Sequence, residues 1–245
     1  MEWPILFYVL LLVISFLYAS VGHGGASGYI ALMTLFSFSP DVIRPAALVM
    51  NVFVSGLSFY HFYREGYFRM ALFVPLAIAS IPSAFLGGML KVDASLYKFI
   101  LGGILCIPIL TLFGLFKMKK REGNMNPSFV QLMFVGCIIG FFSGWIGIGG
   151  GIILSPLLLF FDWAKMKETA AVSALFIFVN SLAGILGQKM IGVQLDLNIG
   201  ILVVIVLFGG FAGSFFGAKK WNKSLLEKVL AFVLVIAVYK LIFTG

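Results

Sequence analysis

Val21-Gly22-His23-Gly24-Gly25-Ala26-Ser27-Gly28-Tyr29-Ile30-Ala31-Leu32 and Ile146-Gly147-Ile148-Gly149-Gly150-Gly151-Ile152-Ile153-Leu154-Ser155-Pro156-Leu157 read as two copies of one element. Laid over each other at an offset of 125 (Gly147 against Gly22), they share a Gly-x-Gly-Gly core. Further features follow in the same order. Ala46-Ala47 faces Ala170-Ala171, and the polar stretch from Asn51 to Gly56 faces the region of Ser173 to Gly184. Ser83-Ala84-Phe85-Leu86-Gly87 matches Gly213-Ser214-Phe215-Phe216-Gly217, and Leu96-x-Lys98 matches Leu226-x-Lys228. The offset drifts from about 125 to 130, which small loop insertions explain. The chain therefore reads as a tandem repeat: a first unit at 1–117, a basic linker at 118–127 closed by Pro127, and a second unit at 128–245.

The sequence around these motifs is apolar: 62% of the 245 residues are hydrophobic and only 11% are charged. A soluble domain carries about 25% charged residues, so this chain has too little charge to cover a globular surface. Stretches such as 5–18, 70–90, 99–116, 128–148, 197–217 and 229–243 run on with almost no ionisable side chain. A bilayer crossing takes about 20 apolar residues as helix. These facts exclude a soluble enzyme, a nucleic-acid-binding domain and a secreted disulfide scaffold. They leave an all-α polytopic membrane protein. The net charge of +8 does not point to nucleic acid, because the basic residues sit in short links such as Lys117-Met118-Lys119-Lys120-Arg121 and Lys219-Lys220-Trp221-Asn222-Lys223. Links of that kind orient spans and contact anionic lipid. Cys106 and Cys137 lie in apolar spans with no CxxC neighbourhood, and read as small packing residues. Met1-Glu2-Trp3-Pro4 lacks the basic start of a signal peptide, so residues 4–21 read as a retained helix with a non-cytoplasmic N-terminus.

Each unit divides into five helical segments: 4–21, 25–37, 42–63, 69–90 and 95–117, then 128–145, 150–162, 166–189, 196–218 and 224–243. Pro40, Pro45 and Gly66 fall near segment ends, whereas Pro75, Pro82 and Pro108 fall inside spans and predict kinks. Charge decides how the first two segments of each unit run. If 4–37 and 128–162 each cross once, Lys and Arg divide 8 to 9 between the two sides. If each is a hairpin, one side holds Arg64, Arg69, Lys117, Lys119, Lys120, Arg121, Lys165, Lys167, Lys219, Lys220, Lys223 and Lys228. The other then holds only Arg44, Lys91, Lys98, Lys189 and Lys240. That asymmetry is the one expected of a cytoplasmic and a non-cytoplasmic face. Length agrees, since 34 residues of helix reach roughly 51 Å, too far for one crossing. The sequence thus predicts two inverted-topology repeats, both termini outside, and a substrate site near the midplane at the repeat interface.

The two Gly turns fall at the hairpin tips and directly precede a helix. Glycine admits close approach of a ligand to the backbone, and a helix start offers unpaired N–H groups at the positive end of its dipole. Gly22, His23, Gly24 and Gly25, facing Gly147, Gly149, Gly150 and Gly151, form the candidate cradle for a small oxyanion. The alternative is close helix packing through small residues, which accounts for Gly87-Gly88, Gly102-Gly103 and Gly209-Gly210. Polar residues inside spans are few and therefore informative. Asn51 and Asn180, with Ser55, Ser173 and Ser181 near them, supply amide and hydroxyl donors; their structural alternative is interhelical hydrogen bonding. His23 reads as a donor to the anion or a proton carrier, and His61 and Gln188, nearer helix ends, are weaker candidates. All nine acids, Glu2, Asp41, Glu65, Asp93, Glu122, Asp162, Glu168, Asp196 and Glu227, fall at or near segment ends or links. No carboxylate is left at mid-depth to hold Na⁺ or relay a proton, so electrogenic, Na⁺-independent anion efflux is expected.

The order Gly147-Ile148-Gly149-Gly150-Gly151, Ser155-Pro156-Leu157, then Asn180-Ser181-Leu182-Ala183-Gly184 resembles the sulfite exporter TauE/SafE family, also called the toluene-sulfonate uptake permease family. The degenerate first copy, with the trailing His61-Phe62-Tyr63-Arg64-Glu65-Gly66, resembles it too, so the similarity covers essentially the whole chain. The resemblance implies a bacterial or archaeal plasma-membrane carrier for sulfite, sulfonates or related sulfur-containing anions, and points to Gly147, Gly149, Gly150, Gly151 and Asn180. The first copy departs from the pattern: His23 intervenes, Ala26 stands where a third glycine belongs, and Ala31 replaces a proline. The two half-sites are therefore not chemically equal. An enzyme is not expected, because two histidines without intramembrane carboxylates make neither a nucleophile–base pair nor a metal cluster. An anion channel using the same helix starts, and a carrier of carboxylates, stay open as alternatives. No cofactor or metal is expected. The partners left are a small anion and membrane lipid, with a homodimer open and nucleic acid excluded.

Overall fold

The structure is a computed structural model and describes residues 4–90, 127–193 and 199–222, with residues 224, 225, 228, 229 and 232 beyond them. Among these residues there are eight α-helices and no strand. They are α1 (Ile5–Ser20), α2 (Ala26–Leu35), α3 (Pro40–Arg64), α4 (Met70–Gly88), α5 (Phe129–Ile146), α6 (Gly151–Phe160), α7 (Met166–Met190) and α8 (Ile199–Phe215). A π-helical turn, Phe216–Lys220, continues α8. Each predicted span within these residues is a helix with ends shifted by a few positions. The predicted 95–117 segment, the linker except for Pro127, and most of 224–243 lie outside the described residues.

Local chemistry sets the helix starts. Ser128 Oγ accepts from the Gln131 N–H at 3.2 Å while Gln131 Oε1 accepts from the Ser128 N–H at 2.9 Å, a reciprocal cap that opens α5. At α7, Glu168 Oε2 accepts from the Lys165 N–H at 2.9 Å. Pro40 occupies the first turn of α3, where its missing N–H costs nothing. Five helices are long and apolar enough to cross a membrane: those within Val42–Arg64, Met70–Gly88, Phe129–Ile146, Met166–Met190 and Ile199–Lys220. α1, α2 and α6 are apolar but shorter.

The long helices pack through glycine on backbone. A Cβ on Gly136, Gly140 or Gly144 of α5 would meet the carbonyl oxygens of Leu76, Ser80 and Ala84 of α4 in turn. Likewise Gly209, Gly213 and Gly217 meet the carbonyls of Leu12, Phe16 and Ser20. In both stripes the numbers rise together, so α5 runs parallel to α4, and α8 with its continuation runs parallel to α1. Between α3 and α7 the order reverses: Leu48 lies by Gly184, Asn51 by Ser181 and Gly56 by Phe178. These two helices are antiparallel and cross at their middles. Every major contact has a counterpart when α1–α4 are exchanged for α5–α8: α1 on α8 and α5 on α4, α3 on α8 and α7 on α4, α2 on α3 and α6 on α7.

One end of the bundle gathers the charge. Arg69 donates to the Trp163 carbonyl at 3.0 Å and lies 3.5 Å from Glu168. Lys167 donates to the Ala218 carbonyl at 2.9 Å, and Lys219 lies 3.6 Å from Glu65. The end of α3, the start of α4, the loop after α6, the start of α7 and the end of α8 therefore share this end. α1 leads towards it and α2 returns. α1 and α2 thus form a hairpin closed by the Gly22–Gly25 turn, with Ser27 Oγ 2.9 Å from Tyr18 Oη across its arms.

Candidate functional site

Both glycine turns need left-handed backbone. Gly22 and Gly25 have φ of 78° and 98°, and Gly147, Gly149 and Gly150 have φ of 87°, 72° and 79°. A side chain would be strained at each of these positions. Gly25 and Gly150 are the residues immediately before α2 and α6, so each turn delivers a helix start into the bundle.

Asn51, near the middle of α3, joins the two turns. Its Oδ1 accepts from the Ala26 N–H at 2.9 Å, capping α2 from a neighbouring helix. Its Nδ2 donates to the Ile148 carbonyl in the other turn at 3.3 Å, and lies 3.4 Å from Ser181 Oγ of α7. Gly24 and Gly149 stand directly on this amide: a Cβ on Gly149 would come 2.5 Å from Asn51 Nδ2, and one on Gly24 2.7 Å from its Cγ. Ile177 of α7 fills the space beside Gly24, Gly149 and Gly151. The structure thus brings Gly24, Asn51, Gly149 and Ser181 together. His23, 2% exposed, also reaches the α6 start, its Cδ2 3.6 Å from where a Gly151 Cβ would stand. Its Nδ1 is 3.2 Å from the Val21 carbonyl, and the Gly151 backbone is a second hydrogen-bonding neighbour of the ring.

The other predicted residues lie around this centre. Gly150 packs against Ile139, Phe176 and Ser143, and Gly25 against the Tyr29 ring. Ser55 hydroxyl donates back to the Asn51 carbonyl at 2.5 Å, and Ser155 donates to Ser173 at 2.8 Å. Asn180 is fully buried: its Nδ2 donates to the Phe176 carbonyl of its own helix at 2.8 Å, and its Oδ1 has no partner. Asn180 therefore does not cap α6 as Asn51 caps α2. Gly22 and Gly147 sit to either side. A Cβ on Gly22 would lie 2.6 Å from Ala170 Cα, whereas one on Gly147 would lie 3.6 Å from Arg44 Cβ. His61 is remote, its Nδ1 2.7 Å from Ser214 Oγ, and Gln188 is buried with both amide atoms unpartnered.

Arg44 is absent from the predicted site. Its Nη2 donates to the Trp145 carbonyl at 2.5 Å, in the last turn of α5. A cation there complements the negative end of the α5 dipole. The available signal was an arginine seven positions before Asn51, within an otherwise apolar stretch; its reach to Trp145 is a tertiary contact that no spacing reveals. Among the described residues no cluster of His, Cys, Asp or Glu suits a metal ion.

Apolar helices of membrane-crossing length, paired through glycine around a buried polar centre, are those of a multi-pass helical membrane protein. The chain belongs to the sulfite exporter TauE/SafE family, whose model matches residues 7–241, and it is a membrane transporter of that family. It is 32% identical over 236 residues to the probable membrane transporter protein y4hK of Sinorhizobium fredii, covering 94% of each chain. It is 28% identical over 218 residues to the probable membrane transporter protein YdhB of Bacillus subtilis, covering 86% of each. No solved structure matches the chain.

Proposed function

We propose that the protein is a secondary carrier that exports small sulfur-containing anions, such as sulfite or organosulfonates, across a bacterial or archaeal plasma membrane. Alternating access would work around a site between the two glycine turns. The observation that carries this reading is the meeting of both turns on one amide, Asn51, at the crossing of α3 and α7. Two helix starts converge there from opposite halves of the chain. Helix starts attract anions through N–H groups and dipole without a fixed positive charge that would trap them. α6 is the better receiver: Asn51 occupies the Ala26 N–H of α2, whereas among the described residues no side chain accepts from the first N–H groups of α6.

The exchange of helix contacts between halves, together with antiparallel α3 and α7, supports two inverted repeats (1–117 and 128–245) joined by a basic linker at 118–127. The charged end then faces the cytoplasm and both termini face out. In this arrangement the turns work as two facing half-sites, with Asn180, Ser181 and His23 around the α6 start. The test is a binding and uptake screen of the purified protein against sulfite, sulfate, sulfoacetate, taurine and carboxylates. Saturable binding of a sulfur anion supports the reading, whereas binding of carboxylates alone moves the substrate class elsewhere.

A further inference from the structure

Among the described residues the eight helices sort into two packed groups that do not follow the halves of the chain. α1, α2, α3 and α8 contact one another, as do α4, α5, α6 and α7, and α3 on α7 is the main helix contact between the groups. The cores divide in the same way: Leu11, Met50 and Val206 belong to one, Leu76, Ile139 and Phe176 to the other. The first core reaches over at the second glycine turn, through Ile148 and Ile152, and at Met166.

The ion pairs Glu65–Lys219 and Arg69–Glu168 stay inside the groups, joining the ends of α3 and α8 and the starts of α4 and α7. Other polar side chains cross the seam. Asn51 does so at the middle, to the Ile148 carbonyl and Ser181. Arg44, near the start of α3, donates from Nη2 to the Trp145 carbonyl in the last turn of α5 at 2.5 Å. Lys167, near the start of α7, donates from Nζ to the Ala218 carbonyl, in the turn that continues α8, at 2.9 Å. The same ammonium lies 5.0 Å from the centre of the Tyr67 ring.

α3 and α7 are antiparallel, so the two cations stand at opposite ends of the seam, with the Asn51 crossing between them. Their chemistry is the same. Each cation leaves the start of a crossing helix and is held by a carbonyl at the negative end of a helix in the other group, a charge-assisted bond that complements the dipole. Tilting the groups about the crossing parts them at one end and presses them together at the other. Such a tilt breaks one bond and keeps the second. Both are made here, and Asn51 and Ser181 are buried.

We infer that Arg44 and Lys167 are the two latches of alternating access: release of Arg44 from Trp145 opens the site outward, and release of Lys167 from Ala218 opens it to the cytoplasm. Both are positioning residues, acting through the seam and not on the anion. The inference rests on the carrier function proposed above and adds its gating residues.

The test reads access to the crossing from each face. Ser181→Cys is the probe, in a background with Cys106 and Cys137 changed to serine, and an impermeant maleimide is applied to right-side-out and to inside-out vesicles. Arg44→Met should raise the ratio of outside to inside labelling rates about threefold or more, the worth of a half-exposed charged hydrogen bond. Lys167→Met should lower the ratio by a similar factor. The double variant should return to within about twofold of the starting ratio, because opposed biases cancel whereas structural damage accumulates. Ratios that stay unchanged, or that move the same way in both single variants, overturn the inference and leave the carrier reading intact. Absence of sulfite counterflow in native protein is the separate result that removes the carrier reading, and this inference with it.

Discussion

Asn51 on α3 donates its amide N–H to the carbonyl of Ile148, 97 residues away, at 3.3 Å. The same side chain accepts from the Ala26 N–H at 2.9 Å, so one amide in the middle of a span holds the tips of both hairpins. A residue expected to donate to substrate is thus also the bracket that sets the distance between the half-sites.

Replacing Asn51 by leucine removes both bonds and leaves a buried N–H and a buried C=O unpaired. Each orphaned group costs about 1–3 kcal/mol. Asn51→Leu should therefore unfold at clearly lower detergent stress in SDS titration of mixed micelles. Ser181→Ala, which loses only a long 3.4 Å contact, should shift stability by under about 1 kcal/mol.

The glycine stripes predict a sharp contrast between positions. A Cβ on Gly144 runs into the Ala84 carbonyl, so Gly144→Ala should cost about 1–3 kcal/mol through overpacking. Gly200, with nothing within 4 Å of its Cβ position, should accept alanine with unchanged stability or a gain of up to about 1 kcal/mol. Equal effects at the two sites would mean that α4 and α5 do not pack as described.

The span limits and the two turns were legible because apolar runs broken by Gly and Pro leave little choice of secondary structure. The two left-handed turns before α2 and α6 were legible in Gly-x-Gly-Gly itself. Which helices touch was not: α1 and α8 meet through Leu12 and Gly209, far apart in sequence, and no periodicity encodes that partner. The Gly136-x₃-Gly140-x₃-Gly144 spacing was on view, yet it names a face and not the helix opposite. The role of Asn51 was only half legible for the same reason. A buried amide signals a polar site, but the Ile148 carbonyl that occupies it comes from the other half of the chain.

Topology is checked by single cysteines at the two ends of the bundle. Lys220→Cys belongs to the charged end and should resist an impermeant maleimide added to intact cells. Lys189→Cys, at the far end of α7, should react. Labelling of residue 220 with protection of 189 would turn the molecule over in the membrane.

Among the described residues the carboxylates keep to the helix ends and loops, as at Glu65, Asp162 and Glu168. With none of these at mid-depth, efflux of an anion should be electrogenic and independent of Na⁺, each charge gaining about 2.3 kcal/mol per 100 mV. Imposing an inside-negative potential with valinomycin at equal pH should accelerate loss of sulfite from proteoliposomes. Flux that ignores voltage and follows a pH step instead would make proton coupling the mechanism.

The central claim is a carrier whose site is built on the second glycine turn, and counterflow of labelled sulfite in proteoliposomes tests it most directly. Native protein should draw labelled sulfite uphill against a preload of unlabelled sulfite, saturably. Gly150→Leu and Asn180→Leu should abolish the overshoot while still inserting into the membrane. Gly151→Ala, whose added Cβ presses on the Ile177 side chain and reaches ordinary contact with His23 at a position without left-handed strain, should weaken it. Passive equilibration without overshoot in native protein would make it a channel, and an undiminished overshoot in all three variants would put the substrate somewhere other than the glycine turns.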